Sequence, residues 1–163
     1  MKSKIFTDIE NQFAQAGELT ILETAHQALD DLVKVLTDYD DRTLFTILVH
    51  AAKLGVSGDG VVNKKERKML VALFSDIMPG FEGMIDDLFG GEITEDDCNL
   101  VAALSQIGNE VAMPLLYYIL SLGYADEVLE EEIALELDGI FEPILTAYAY
   151  RVAGQQEAPA DKT

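Results

Sequence analysis

An all-α, single-domain bundle of about seven to eight helices is the fold this sequence predicts, on three observations. Apolar residues recur at spacings of three and four, as in Leu44, Ile47 and Leu48 or Leu116, Ile119 and Leu120, which is the period of a helix with one face turned to a core. Alternating apolar and polar residues, the mark of a half-buried strand, are absent. The 163 residues are 49% hydrophobic and include four prolines, enough for one core and few for two. A domain of this size buries about 68–70% of the surface its unfolded chain exposes.

The elements follow from caps and breakers. A short helix is expected near 3–15 and a long one near 19–37; Tyr39-Asp40-Asp41-Arg42 reads as a turn, and a helix near 42–54 is closed by Gly55. Beyond Ser57-Gly58-Asp59-Gly60 a helix opens at Asn63, where Glu66 three residues on completes a capping box, and it runs to about Met78, stopped by Pro79-Gly80. A short segment, 81–89, leads to Gly90-Gly91. Thr94 with Asp97 forms a second capping box, opening a helix over 95–107. Helices near 110–122, ended by Gly123, and near 126–140 come next. A last one near 142–153 carries Pro143 in its first turn, where a missing amide donor costs little. The domain is thus read as 1–153, followed by a flexible polar tail over 154–163.

Charge excludes some partners. A net charge of −19 argues against nucleic acid, while the abundance of apolar residues argues against disorder. The lone Cys98 permits no internal disulfide and suits a reducing cytoplasm. The opening MKSKIFTDIENQF meets Asp8 and Glu10 before any apolar run, unlike a secretory signal. The longest apolar run, 111–125, falls short of the ~20 residues a bilayer demands. A cytoplasmic protein without direct membrane insertion is therefore expected.

The charge is also unevenly placed. Between Met69 and Tyr150 there are seventeen Asp and Glu and no Lys, Arg or His. By contrast Lys64, Lys65, Arg67 and Lys68 crowd the first turns of one helix, where cations oppose the helix dipole at about 0.3–1 kcal/mol each. Either they pair with acids of the same chain, or they form a docking patch for an acidic partner or for the acidic face of a second copy.

Catalytic constellations do not assemble. Glu23 and His26 have the spacing of half a dimetal site, but Ile47 stands where a second copy, before His50, would need its Glu. Cys98 follows Asp96 and Asp97, which disfavour a thiolate. Neither a Gly-x-Ser-x-Gly elbow nor a phosphate-cradling loop is present, so no enzyme is expected. A calcium loop over Gly55–Glu66 would place Ser57, Asp59, Asn63 and Glu66 at ligand positions, but Gly55 occupies the first position, which requires Asp. On the helix near 126–140, Asp126/Glu130, Glu127/Glu131 and Glu132/Glu136 would be like-charged neighbours four apart. They form either a solvated face or a site for a hard divalent cation.

The segment HAAKLGVSGDGVVNKKERKMLVALF, residues 50–74, resembles the signature of the tellurite-resistance TerB-like family. An apolar helix ends in Ala52-Lys53, followed by Asp59-Gly60, an apolar Val62 three beyond the Asp, and Glu66 seven beyond it. Here five residues, 54–58, separate the Lys from the Asp, where the family usually has almost none. A weaker echo over residues 117–141 suggests an internal repeat of helical hairpins. The resemblance implies a non-catalytic helical module of the tellurite or metal stress response, working with protein partners in a membrane-associated complex. It further implies a divalent cation, calcium or magnesium, at Asp59 and Glu66 and, through the repeat, at Asp126 and Glu130. The alternative is a metal-free interaction or self-assembly module that docks through Lys64, Lys65, Arg67 and Lys68.

Overall fold

The computed structural model describes residues 2–56, 62–126 and 129–161, the side chains of Asp126 and of 152–161 excepted. Among them are eight α-helices and no strand, as the apolar period predicts: α1 (Lys4–Gln15), α2 (Glu18–Val35), α3 (Asp41–Val56), α4 (Lys64–Phe74), α5 (Ile85–Phe89), α6 (Glu95–Ser105), α7 (Asn109–Gly123) and α8 (Glu131–Asp161). Short 3₁₀ turns, Phe81–Met84 and Tyr124–Asp126, lead out of the α4–α5 and α7–α8 connections.

The core is built around α7, whose sequence is apolar on nearly every side. Val111, Leu115, Leu116, Ile119, Leu120 and Leu122 are all buried, and the helix packs against α1, α2, α3, α4, α6 and α8. Tyr118 is fully buried, and its hydroxyl donates to the Leu48 carbonyl of α3 at 2.7 Å, as a phenol taken out of water must. Phe45, Phe74, Phe81 and Phe89 form a second aromatic focus, with ring centroids 5.0–6.2 Å apart.

Several predicted boundaries are corrected: α4 ends at Phe74 and not near Met78, and two other changes are made by packing. Gly55 does not close α3 but lies inside it, where α3 crosses α7. A β-carbon there would sit 2.6 Å from the Ile119 carbonyl oxygen, so the residue is small because two backbones meet. The helices expected near 126–140 and 142–153 are one helix, α8, with Pro143 in its interior. An interior proline costs about 3 kcal/mol, yet Phe141 and Leu145 on either side are buried, and each contributes about 1.5–3 kcal/mol. Burial on both sides of the proline outweighs the break. Because α8 begins at Glu131, Asp126 and Glu130 are not a pair along one helix, whereas Glu132 and Glu136 are; Glu127 of the pair Glu127/Glu131 lies outside the described residues. The helix also continues to Asp161, through the stretch read as a tail.

The N-terminal residues fasten α8 in place. Ser3 caps α1 by accepting from the Phe6 amide, and its own amide and hydroxyl donate to Asp138 of α8 at 2.8 and 2.6 Å. Lys2 bridges the buried Glu10 at 2.8 Å and Glu131 at 3.2 Å, and the Tyr124 hydroxyl donates to Glu10 at 2.9 Å. Burial, and after it the Glu10 carboxylate, pushes the Tyr124 phenol well up. Thus α8 is held along its inner face, and its outer face is left to solvent.

Candidate functional site: an acidic groove between α6 and α8

The first candidate hairpin turn is only partly described. Asp59 lies outside the described residues. Glu66 is buried and completes the predicted capping box: its carboxylate accepts from the Asn63 amide at 3.0 Å, and the Asn63 side chain accepts from the Glu66 amide at 2.9 Å. Of the basic cluster, Arg67 pairs with Asp86 and Lys68 with Glu18, at 3.4 Å for the latter. Intramolecular pairing thus accounts for part of the cluster, although such exposed pairs contribute only about 0–1 kcal/mol each.

In the second turn, the backbone of Asp126 belongs to the 3₁₀ turn that packs beside α4. Glu130 is exposed just ahead of α8 and faces elsewhere, into a groove that Glu66 does not line. Among the described residues, no three carboxylate, imidazole or thiol groups come close enough to hold one metal ion.

That groove is an open cleft of about 1080 Å³ between the start of α6 and the first turns of α8. Its geometry follows from periodicity. Glu132, Leu135, Glu136, Gly139 and Ile140 are spaced at three and four on the outer face of α8, opposite Ala134, Leu137 and Phe141, which are buried. Glu92 and Glu95 flank the other wall, with Glu130, Glu132 and Glu136 opposite, while Ile93, Ile133 and Ile140 line the floor. None of the five glutamates carries an ion pair among the described residues. Glu132 and Glu136, one turn apart, repel each other by about 0.2–0.5 kcal/mol.

The wall contributed by α6 is anchored through Asp97. The predicted capping box is present: the Asp97 carboxylate accepts from the Thr94 amide at 2.9 Å, and the Thr94 hydroxyl accepts from the Asp97 amide at 3.3 Å. Two further groups reach the same carboxylate from α3, His50 Nδ1 at 2.7 Å and Lys53 Nζ at 3.4 Å. Asp97 is fully buried. Burial alone would raise its pKa, but the Thr94 amide, His50, the Thr94 hydroxyl and Lys53 together outweigh it and hold the carboxyl below its ordinary value. The carboxylate therefore ties α3 to α6 in the charged form.

Cys98, the next residue, lines the groove, whereas His50 does not. Burial first, then Glu136, Asp97 and Glu95, push its thiol up, the opposite of what a nucleophile requires. Of the two neighbours that the sequence nominates, Asp97 contributes to this shift, whereas burial and Glu136 come from the fold and Glu95 from the turn before.

Sequence reasoning selected Glu130 but missed the groove it borders, because the other wall is contributed by residues some forty positions earlier. It also missed His50 and Lys53 as partners of Asp97. The signal available was modest: His50 and Lys53 are three apart on one helix, hence on one face. Comparisons with protein-family profiles, with characterised proteins and with solved structures return no match to this chain.

Proposed function

We propose that this chain is a non-catalytic binding module whose ligand is cationic, and that its recognition surface is the acidic C-terminal half. The observation that carries the reading is the groove between α6 and α8: five glutamates without ion pairs among the described residues border an apolar floor, in a stretch of 82 residues, 69–150, without one cation. A field of one sign over a concave, low-dielectric surface concentrates ligands of the opposite sign and accelerates their encounter. The thiol raised by its surroundings and the imidazole engaged with Asp97 favour binding over turnover. The TerB-like resemblance of residues 50–74 fits the same role, a cytoplasmic stress-response module acting through partners. Among the described residues no helix is long and apolar enough to cross a membrane.

The test is a thermal melt of the full chain at low salt with a short lysine peptide, with millimolar calcium or magnesium, and with neither. The peptide is expected to raise the melting temperature, by about 2.7 kcal/mol of stabilisation at 100 times its dissociation constant, and the shift is expected to fade as salt screens it. Absence of a shift with any cation would remove the proposal. A shift with the metals alone, abolished by Asp59→Asn with Glu66→Gln, would transfer the ligand class to a divalent cation at the first hairpin.

A further inference from the structure

Resting on that reading, we infer that the α6–α8 groove receives a basic amphipathic helix of a partner protein, its apolar stripe on Ile93, Ile133 and Ile140 and its lysines or arginines against the glutamate rims. Each known way of holding a peptide makes a demand on the receiving surface, and the demands discriminate. Strand addition needs a free sheet edge, and the described residues contain no strand. Proline-rich segments need aromatic walls, and no aromatic side chain lines this groove. Phosphorylated or acidic motifs need arginine clusters, the reverse of the rim present here. A helix laid in a groove needs an apolar floor between two elements, which is what α6 and α8 provide.

The groove is an open one, of about 1080 Å³, as a surface that seats a helix must be.

The polar lining agrees. The carboxylates that border the groove accept hydrogen bonds and donate none, so they select a donor-rich ligand, as lysine and arginine side chains are. A second copy of this chain is the weaker occupant, since two chains of net charge −19 repel and part of the basic cluster is already paired within its own chain.

The experiment uses the full chain and two labelled peptides of about 14 residues, four helical turns, made of leucine and lysine in equal composition. In one, leucines fall at i, i+3, i+4 and i+7; in the other they are scattered so that no apolar face forms. Binding is followed by fluorescence anisotropy at low salt in wild type, in Glu132→Gln/Glu136→Gln and in the control Asp30→Asn/Asp31→Asn on α2. The amphipathic peptide is expected to bind more tightly than the scattered one, and the groove variant to weaken it about tenfold, the sum of two rim contacts; the α2 control is expected to change it less than twofold. A third variant, Leu135→Ser, is expected to weaken the amphipathic peptide alone. Equal binding of both peptides, or equal loss in the groove and control variants, would overturn the groove proposal while leaving a general affinity for cations intact. If neither peptide binds wild type, the proposed function falls with it.

Discussion

The two capping boxes use the same local device and lead to different structures. At the start of α4, Asn63 and Glu66 satisfy each other's amides, a local bond within one turn. At the start of α6, Thr94 and Asp97 do the same, but the Asp97 carboxylate also takes His50 and Lys53 from α3 and is fully buried. A cap legible in four consecutive residues can therefore also serve as a joint between helices, and at Asp97 the joint is made by the cationic face of α3.

That contrast can be broken by mutation, and the largest effect is expected at the joint. Asp97→Ala removes the cap and leaves Lys53 without its partner in a position 14% exposed. Breaking such a buried pair costs about 3 kcal/mol, a fall in melting temperature of roughly 6–12 °C at 2–4 °C per kcal/mol. A fall no larger than that of Glu66→Ala would mean the two boxes are equivalent after all.

The joint should also appear in the acid limb. Because the folded carboxyl titrates below its ordinary value, its stabilisation is present above the ~3.9 of an unfolded aspartate and disappears as pH falls through the lower folded value. Denaturation profiles between about pH 2 and 4 should therefore be flatter in Asp97→Asn than in wild type; parallel profiles would contradict the shift.

Glu66→Ala is expected to cost about 1 kcal/mol, the value of a cap, read as a modest drop in the urea midpoint. The smallest effect is expected in the groove, with the opposite sign. Glu136→Gln relieves the repulsion with Glu132 and should stabilise the isolated chain by a few tenths of a kcal/mol, most visibly at low salt. Loss of stability there would show that Glu136 is paired, and the rim would no longer stand open.

Both boxes were legible in the sequence, as was the helical architecture, because each depends on residues within one or two turns. The groove and the Asp97 joint were not, since His50 lies 47 residues from Asp97 and no local period records that distance. Gly55 shows a second limit. A glycine near a helix end reads as a stop, while here it permits the crossing with α7, a fact that belongs to both helices. Pro143 shows a third, because the burial of Phe141 and Leu145, which keeps α8 continuous, is decided by the rest of the core.

The central position of α7 bears on how the chain emerges from the ribosome. Leu48 of α3 waits for a tyrosine 70 residues later to bond its carbonyl, and α2 and α3 lean on that same helix. Through much of synthesis their sticky sides have no mate. Such delayed closure slows folding and invites nascent chains to associate with one another, and the first 68 residues, with eleven Asp and Glu against nine Lys and Arg, carry little net charge to hold them apart.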